Sequence, residues 1–368
     1  MLQDLIDRAT EAWQDRAPFV LYSKPNDLLV NGIFQKNSQL HLVKDFTETG
    51  FLFAPFDLES DIVLIPTDEM LSAEFQTDDV DKVKEQFSLP SDAERDDYLR
   101  MIQNAISELN SGNLKKVVLS RKVNVEQKVT PLELYLKVLA AYPKAFCYVW
   151  HHPKVGTWIG ATPEILLKSQ GREFTTMSLA GTQSVEEYPQ PQWTSKELNE
   201  QQMVTDYISD AMKNTSITVK TSDLESIQAG SLWHLRTKLS GRFEPRQFES
   251  ILKAIHPTPA VCGIPMQNAK DFIHQNENYD RSFYTGFLGE LNFKKENSRN
   301  RNRKNQENSA YKTIQNTSEL FVNLRCMQIF QNRVEIYVGG GITSESKPEL
   351  EWEETVNKSK TMLKVLMT

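Results

Sequence analysis

The last helix predicted in this chain carries charged residues on the side that should be apolar, and this constrains the fold more than any other feature. The helix follows the run Gly339-Gly340-Gly341 and extends to the C-terminus. Its apolar side is set by Met362, Val365 and Leu366. Counting back at helical spacing places Lys358, Glu354 and Glu351 on the same side. Because a buried charge is tolerated only when it is paired or bound to a metal, this side predicts a functional site.

A second predicted helix, beginning near Thr194, repeats the arrangement. Its apolar stripe consists of Val204, Tyr207, Ile208 and Met212. Continued backward, the stripe passes Gln201 and reaches Glu200 and Glu197. If the two helix starts meet, four carboxylates form an oxygen-rich cage, which suits Mg²⁺ better than Zn²⁺: Glu197, Glu200, Glu351 and Glu354. Acidic residues near a helix N-terminus also complement the macrodipole, which explains either pair alone. Both pairs together, with Lys358, favour a metal site.

Composition excludes several classes of protein. The chain has 368 residues and a formal net charge of -7, which argues against general affinity for nucleic acid. Cys147, Cys262 and Cys326 are scattered and lack metal-binding spacing, so we expect a reducing cytoplasm. Residues 1–14 predict an amphipathic helix and not a signal peptide, and no apolar run reaches membrane-spanning length, so we expect no membrane contact.

The chain divides unevenly. Residues 1–90 predict a β-rich N-terminal subdomain, and residues 91–368 a catalytic region. Pro90 lies in a charged stretch that could form the hinge, and Ser91 with Glu94 predicts a capping box before a helix. Further strands are predicted at 116–121, 146–150, 156–160, 165–168, 284–293, 319–328 and 333–338. Residues 294–316 are polar and basic, which predicts an expanded, flexible hairpin loop.

Short motifs occur along the chain in the order found in one enzyme family. They are Lys116-Val117-Val118-Leu119-Ser120-Arg121, Gly160-Ala161-Thr162-Pro163-Glu164, Leu179-Ala180-Gly181-Thr182, Leu232-Trp233-His234-Leu235, His256-Pro257-Thr258-Pro259-Ala260-Val261-Cys262-Gly263, Tyr284-Thr285-Gly286, Leu324-Arg325-Cys326 and the C-terminal segment. The chain thereby resembles the chorismate-utilising enzymes of the anthranilate synthase component I type. The resemblance implies an α+β fold in which large mixed or antiparallel sheets pack as a sandwich, with helices outside and the site between the layers. It also implies chorismate as substrate and Mg²⁺ as cofactor.

Details of the motifs separate the branches of the family. Ala180 stands where aminodeoxychorismate synthases typically carry a lysine that attacks the ring. Ala260 stands where salicylate synthases often have threonine, and the run around it lacks the Gly and Ser typical of anthranilate synthases. The run is similar to that of isochorismate synthases, in which water is the nucleophile, so no obligatory amidotransferase subunit is expected. A salicylate synthase and a catalytically silent metal-binding homologue are the alternatives, and menaquinone and siderophore synthesis are both open as pathways.

The resemblance assigns Lys116 as the general base and Glu164 as the general acid. A lysine acts as a base only when partly neutral, and a glutamate acts as an acid only when protonated, so both side chains must be poorly solvated or have suitable neighbours. Lys116 begins an apolar strand, and Glu164 lies between Pro163 and an apolar run. Partial burial is therefore expected for both.

Other motif residues offer partners for the two carboxylates of chorismate. Arg325 provides a bidentate donor and Lys358 a point charge for the enolpyruvyl carboxylate. The remaining predicted contacts with the substrate come from Gly181, Thr182, His234, Ala260, Tyr284, Gly339 and Gly341. Among the other histidines, His256 is expected to position its loop, and His151 and His152 to lie in an exposed turn.

Overall fold

Two large antiparallel sheets and seven helices form the part of the protein that the computed structural model describes, which comprises residues 1–76, 94–229, 232–297 and 313–367. The helices are Leu2–Gln14 (α1), Arg95–Asn110 (α2), Pro131–Ala141 (α3), Ser195–Asn214 (α4), Phe248–Ile255 (α5), Met266–Asn276 (α6) and Pro348–Leu366 (α7). The strands are Phe19–Ser23 (β1), Leu29–Phe34 (β2), His41–Leu42 (β3), Gly50–Ala54 (β4), Val63–Pro66 (β5), Glu69–Glu74 (β6), Lys116–Val125 (β7), Phe146–His152 (β8), Gly156–Thr162 (β9), Ile165–Gln170 (β10), Glu173–Ser184 (β11), Val219–Thr221 (β12), Glu225–Ala229 (β13), Leu232–Arg242 (β14), Gly263–Ile264 (β15), Phe287–Asn297 (β16), Thr313–Val322 (β17), Cys326–Ile329 (β18) and Val334–Ile342 (β19).

The two sheets divide the strands between them. The nine-stranded sheet has the order β15-β7-β19-β18-β9-β8-β1-β2-β6, and the ten-stranded sheet has the order β12-β14-β11-β10-β17-β16-β4-β5-β3, with β13 paired to β14. An aromatic cluster that includes Phe53, Trp158 and Phe283 joins the two sheets. This architecture confirms the predicted sandwich of antiparallel sheets with outer helices.

Helices cover the outer faces of the sandwich. Helices α1, α3 and α7 share one apolar cluster with the nine-stranded sheet, and α4 and α5 share another with the ten-stranded sheet. Strands such as β1, β4 and β8 are consequently buried along their whole length. A strand covered on both faces reads as a continuous apolar run without alternation, which explains why residues 146–150 of β8 could be predicted as a strand from the sequence.

The predicted N-terminal subdomain is β-rich, and its strands are built into both sheets. Strand β1 pairs with β8 in the first sheet, and β4 pairs with β16 in the second. The predicted hinge at Pro90 and the Ser91 half of the capping box lie outside the described residues. The division at residue 90 therefore stays a prediction.

Three predicted elements differ from the structure. The segment 319–328 is two strands, β17 and β18, and not one, because the chain crosses from one sheet to the other between them. His151 and His152 lie at the buried end of β8 and not in an exposed turn: the His151 ring is 4.5 Å from that of Trp13 in α1. The hairpin around the predicted 294–316 loop is also longer than expected. Its strands pair from Lys294 with Asn316 to Asn297 with Thr313, and residues 298–312 lie outside the described part.

Within the described ranges, none of the helices combines the length and apolar character needed to cross a membrane.

Candidate functional site

A pocket of about 170 Å³ lies where strands of both sheets meet the starts of α4 and α7. All but one of the residues predicted for the site line it: Lys116, Glu164, Gly181, Thr182, Glu197, Glu200, His234, Ala260, Tyr284, Arg325, Gly339, Gly341, Glu354 and Lys358. The exception, Glu351, is buried in α7 one turn before Glu354. The structure therefore brings together residues that are far apart in the sequence, as the family resemblance implied. The role of each residue stays a prediction.

Lys116 is the first residue of β7, and its side chain is almost completely buried, with 1% exposed. Its Nζ atom donates a hydrogen bond of 2.6 Å to Glu200 Oε1 on α4. A methyl group at Gly341 would lie 3.0 Å from that carboxylate oxygen and 3.1 Å from Lys116 Cε. Glycine at this position therefore allows strand β19 to approach the ion pair closely, inside a strand and not in a turn.

Glu164 lies in the short connection between β9 and β10, where the chain passes from the first sheet to the second. Its side chain is buried, and burial raises its pKa to about 8, although the charge of Lys116 acts in the opposite direction. The carboxyl group therefore keeps its proton near neutrality. The structure thus gives Glu164 the protonation state that a general acid requires.

Arg325 lies in another of the connections between the sheets, the one from β17 to β18. It adopts a left-handed backbone conformation with φ of 49°, which is uncommon for a residue with a side chain. The two connections run side by side: Ala161 N donates to Arg325 O at 3.0 Å, and Val322 N donates to Glu164 O at 2.9 Å. The acid and the guanidinium are therefore attached to one hydrogen-bonded unit.

Helix α7 supplies a second charged pair to the pocket. Lys358 Nζ lies 2.5 Å from Glu354 Oε1 and donates a hydrogen bond of 2.9 Å to Gly339 O. Burial works against the charged form of Glu354, but Lys358, Lys196 and Arg325 outweigh it, and the pKa of Glu354 is lowered. Glu354 is thus held as a carboxylate.

Sequence reasoning missed Lys196, which also lines the pocket. Its Nζ atom is 3.3 Å from Glu351 Oε1, so it joins α4 to α7. Burial opposes its charge, but Glu351, Glu200 and Glu354 outweigh burial and raise the pKa of Lys196. Its position four residues before Glu200, on the same helical side, was the available signal.

Glu197 caps its own helix. Its carboxylate accepts hydrogen bonds from the backbone N–H of Thr194, at 2.9 Å, and from the Thr194 hydroxyl, in a capping box at the start of α4. The carboxylate nevertheless borders the pocket. Helix capping therefore accounts for the hydrogen bonds that Glu197 makes in the structure, and its role as a metal ligand stays a prediction.

The four predicted metal-binding residues offer carboxylate oxygens, which are the ligands that a hard divalent cation prefers. A methyl group at Gly340 would lie 3.8 Å from Glu351 Oε2 and 3.9 Å from a Glu354 oxygen, so these two carboxylates border one space. Burial, followed by the charge of Glu354, raises the pKa of Glu351, which shows that the pair carries excess negative charge. Across the described residues, however, no three His, Cys, Asp or Glu side chains gather closely enough to hold a metal, because lysines or a helix cap hold the carboxylates.

His234 lies on β14 beside the glycine and threonine of the third motif. Its Nδ1 atom is 2.9 Å from Gly181 O and 3.5 Å from Thr182 Oγ1. Burial, assisted by the charge of Arg325, lowers the pKa of His234 to about 4, so the ring is neutral at pH 7. With Nδ1–H donating to the carbonyl, Nε2 remains an acceptor for a ligand hydroxyl. His256, by contrast, binds Phe56 O at 3.1 Å away from the pocket, as expected for a loop-positioning residue.

Comparison with known proteins agrees with this geometry. Residues 60–298 match the model of the chorismate binding enzyme family, and residues 311–364 match a second chorismate binding enzyme model. The chain is 27% identical to the vibriobactin-specific isochorismate synthase of Vibrio cholerae over 72% of this chain and 65% of that protein, a little under two thirds of its length. It is 24% identical to isochorismate synthase DhbC of Bacillus subtilis, over 85% and 79% of the two chains.

A solved structure shows the same fold. The menaquinone-specific isochorismate synthase MenF of Escherichia coli superposes with a TM-score of 0.74 at 19% identity, covering 95% of this chain and 88% of that one. The chain thus has the fold of an enzyme in which two β-sheets form a sandwich, with a pocket lined by charged side chains. Because the first family model spans more than half of the sequence, the chain belongs to the chorismate-binding enzyme family.

Proposed function

We propose that this chain is an isochorismate synthase, which moves a hydroxyl group from carbon 4 to carbon 2 of the chorismate ring. The observation that carries the proposal is the buried, proton-bearing Glu164, which shares one pocket with the buried amine of Lys116. A group that holds a proton near neutrality can protonate a departing hydroxyl, and an amine can take a proton from water. The relatives described as isochorismate synthases support the assignment.

In the proposed reaction the two residues act on opposite ends of one rearrangement. The water oxygen forms a bond to carbon 2 as its proton passes to Lys116 Nζ. The double bonds shift, and the bond between carbon 4 and its oxygen breaks as that oxygen takes the proton of Glu164. The products are isochorismate and water, and a proton returns from Lys116 to Glu164 through solvent.

The charged residues around the pair would hold the substrate. Arg325 and Lys358 suit the enolpyruvyl carboxylate, and the backbone amides of Gly181 and Thr182 suit the ring carboxylate. Glu200 and Glu354 would bind Mg²⁺, with Glu197 and Glu351 directly or through water. The bound ion would neutralise the ring carboxylate and fix its position.

Lys116 can act as a base only in its neutral form, because only a free amine has an electron pair for the proton of water. In the structure its Nζ atom donates a hydrogen bond to Glu200. Glu200 would hold Mg²⁺ when the ion is bound, and the positive charge of the ion beside Lys116 would favour the neutral amine. The cysteines of the protein are free and buried: Cys147, Cys262 and Cys326. Free thiols fit the reducing cytoplasm in which we propose that the enzyme works. We also propose that it works without an amidotransferase subunit.

The pH dependence of activity should report Glu164. Because its pKa is about 8 and the acid is needed in its protonated form, kcat/KM should fall by about tenfold per pH unit above pH 8. Initial rates of chorismate consumption between pH 6 and 10 measure this. Glu164→Gln should lose most activity and also lose this alkaline decline. A decline near pH 8 that persists unchanged in Glu164→Gln would assign it to another group.

Product analysis tests the function itself. Wild-type enzyme with chorismate and Mg²⁺ should yield isochorismate with little salicylate, as measured by chromatography at neutral pH after short incubation. Salicylate and pyruvate as main products would make the chain a salicylate synthase. If the enzyme does not convert chorismate in the presence of Mg²⁺, the result would favour a catalytically silent binding protein.

Ala260 tests the choice between water addition and pyruvate elimination. Ala260 lines the pocket, and its small side chain would leave room for a water molecule beside a bound ring. Ala260→Thr should lower kcat for isochorismate, because the larger side chain fills that space and adds a hydroxyl. Any gain in salicylate should be small, since one side chain rarely repositions a whole substrate. An unchanged kcat would show that the attacking water lies elsewhere.

A further inference from the structure

A fully buried ion pair, Glu277 with Arg281, lies behind the wall of the pocket. The two side chains are 1% and 2% exposed. Arg281 Nε donates to Glu277 Oε2 at 2.8 Å, and Nη2 donates to Oε1 at 2.5 Å. Neither residue is among those that line the pocket, and the proposed chemistry does not use them.

The pair binds the backbone on two sides. Arg281 Nη2 donates to Val118 O at 2.7 Å, and Nη1 donates to Val261 O at 2.8 Å. Glu277 Oε1 accepts from both the backbone N–H and the hydroxyl of Ser120, each at 2.8 Å. Val118 and Val261 both line the pocket, so the ion pair fixes two of its walls relative to each other.

The contacts of Glu277 and Arg281 occupy an edge of β7 where a neighbouring strand ends. On the edge of β7 that faces away from β19, strand β15 pairs only with Lys116 and Val117. Val118 N still donates to Cys262 O, just before β15, at 2.7 Å. Within the described ranges no further strand continues this edge, and the next groups along it, Val118 O and Ser120 N, bind the ion pair. Arg281 supplies the donor and Glu277 the acceptor that a neighbouring strand would have supplied.

We propose that Glu277 and Arg281 are positioning residues that hold Lys116 and the Ala260-Val261 segment in register for the attack of water. The inference rests on the proposed function, because it concerns the geometry of that reaction. Well-packed apolar residues often replace a buried ion pair at no cost to stability. At this position an apolar pair would leave Val118 O, Val261 O and Ser120 N without hydrogen-bond partners, so the charged pair fixes the backbone behind the pocket.

Arg281→Lys tests this role. A lysine keeps the charge, but its three N–H donors cannot reproduce the four hydrogen bonds that Arg281 makes to Glu277, Val118 O and Val261 O. We expect kcat for chorismate to fall by roughly 10- to 100-fold, because small displacements of reacting groups have effects of this size, with KM within about threefold. Without substrate, amide hydrogen exchange at residues 116–120 should become faster. Glu277→Gln/Arg281→Gln, which removes both charges, should show the same two changes.

Glu290→Gln is the matched control. It weakens another buried charge cluster, in which Glu290 accepts from Tyr22 Oη at 2.6 Å and binds Lys24 at 2.7 Å, outside the pocket lining. This variant should lose thermal stability and keep its kcat and its exchange at residues 116–120.

The outcomes separate the inference from the proposed function. Wild-type kcat in a folded Arg281→Lys protein would overturn the inference, as would faster exchange at residues 116–120 without a loss of kcat. Failure of both variants to fold would also overturn it, because the pair would then be a general requirement of the fold. If the wild-type protein does not convert chorismate, the proposed function fails, and the exchange measurement alone then decides whether the pair holds the edge of β7.

Discussion

Lys116→Ala is expected to lower kcat for chorismate conversion by roughly two to four orders of magnitude, the usual size of a lost general base. The fold should survive, because the Glu200 carboxylate that loses its partner is partly exposed to solvent, at 17%. Initial rates across a range of chorismate concentrations, with circular dichroism on the same samples, measure both effects.

Lys115 provides the matched control for this substitution. It precedes Lys116, but its side chain is exposed and does not line the pocket. Lys115→Ala should therefore leave kcat and KM near their wild-type values. If Lys116→Ala raised only KM, the lysine would bind substrate, and the attacking water would need a different base.

Glu200→Ala and Glu354→Ala are expected to abolish magnesium-dependent turnover while leaving the fold largely intact. Each substitution removes a proposed ligand and also frees the lysine that the carboxylate holds, Lys116 or Lys358. The cage would then lack the oxygen donors that a hard cation requires. Rates measured against Mg²⁺ concentration, with calorimetric titration of Mg²⁺, separate loss of metal binding from loss of chemistry.

Glu353→Ala is the control on the same helix. Glu353 lies beside Glu354 in the sequence, but its side chain is exposed. It should keep its activity and its response to Mg²⁺. Near wild-type turnover of Glu200→Ala or Glu354→Ala at limiting Mg²⁺ would remove the carboxylates from the mechanism.

Patterns on the two helices could be recognised from the sequence because each pattern is local. Charged residues at helical spacing on an apolar stripe placed Glu200, Glu354 and Lys358 on inward-facing sides, and the structure brings these sides together at the pocket. Residues 116–120 of β7 and 146–150 of β8 could be predicted as strands because they are buried on both faces. Local spacing did not reveal that Lys116 would hold Glu200, since these two residues are 84 residues apart.

The crossing between the sheets at Arg325 was not visible in the sequence, whereas the crossing at Pro163 and Glu164 fell between the predicted strands 156–160 and 165–168. The segment around Arg325 is apolar on both sides and reads as one strand, because residues in either sheet are equally buried. Only the long-range pairing of β17 with β10 and of β18 with β9 reveals the break. His151 and His152 were misplaced for a related reason: the end of β8 is buried, with the His151 ring against Trp13 of α1, and this tertiary effect overrides their polarity.

The paired connections that carry Glu164 and Arg325 attach the acid and the guanidinium to different sheets. Glu164 O accepts from Val322 N at the end of β17, and Arg325 O accepts from Ala161 N in β9. Lys116 belongs to the nine-stranded sheet, as Ala161 does. A substitution that weakens the pairing of the two connections would therefore displace the acid from the guanidinium before it moves the base. A substrate anchored by Arg325 would then lose its alignment with Glu164 while the water delivered by Lys116 kept its place.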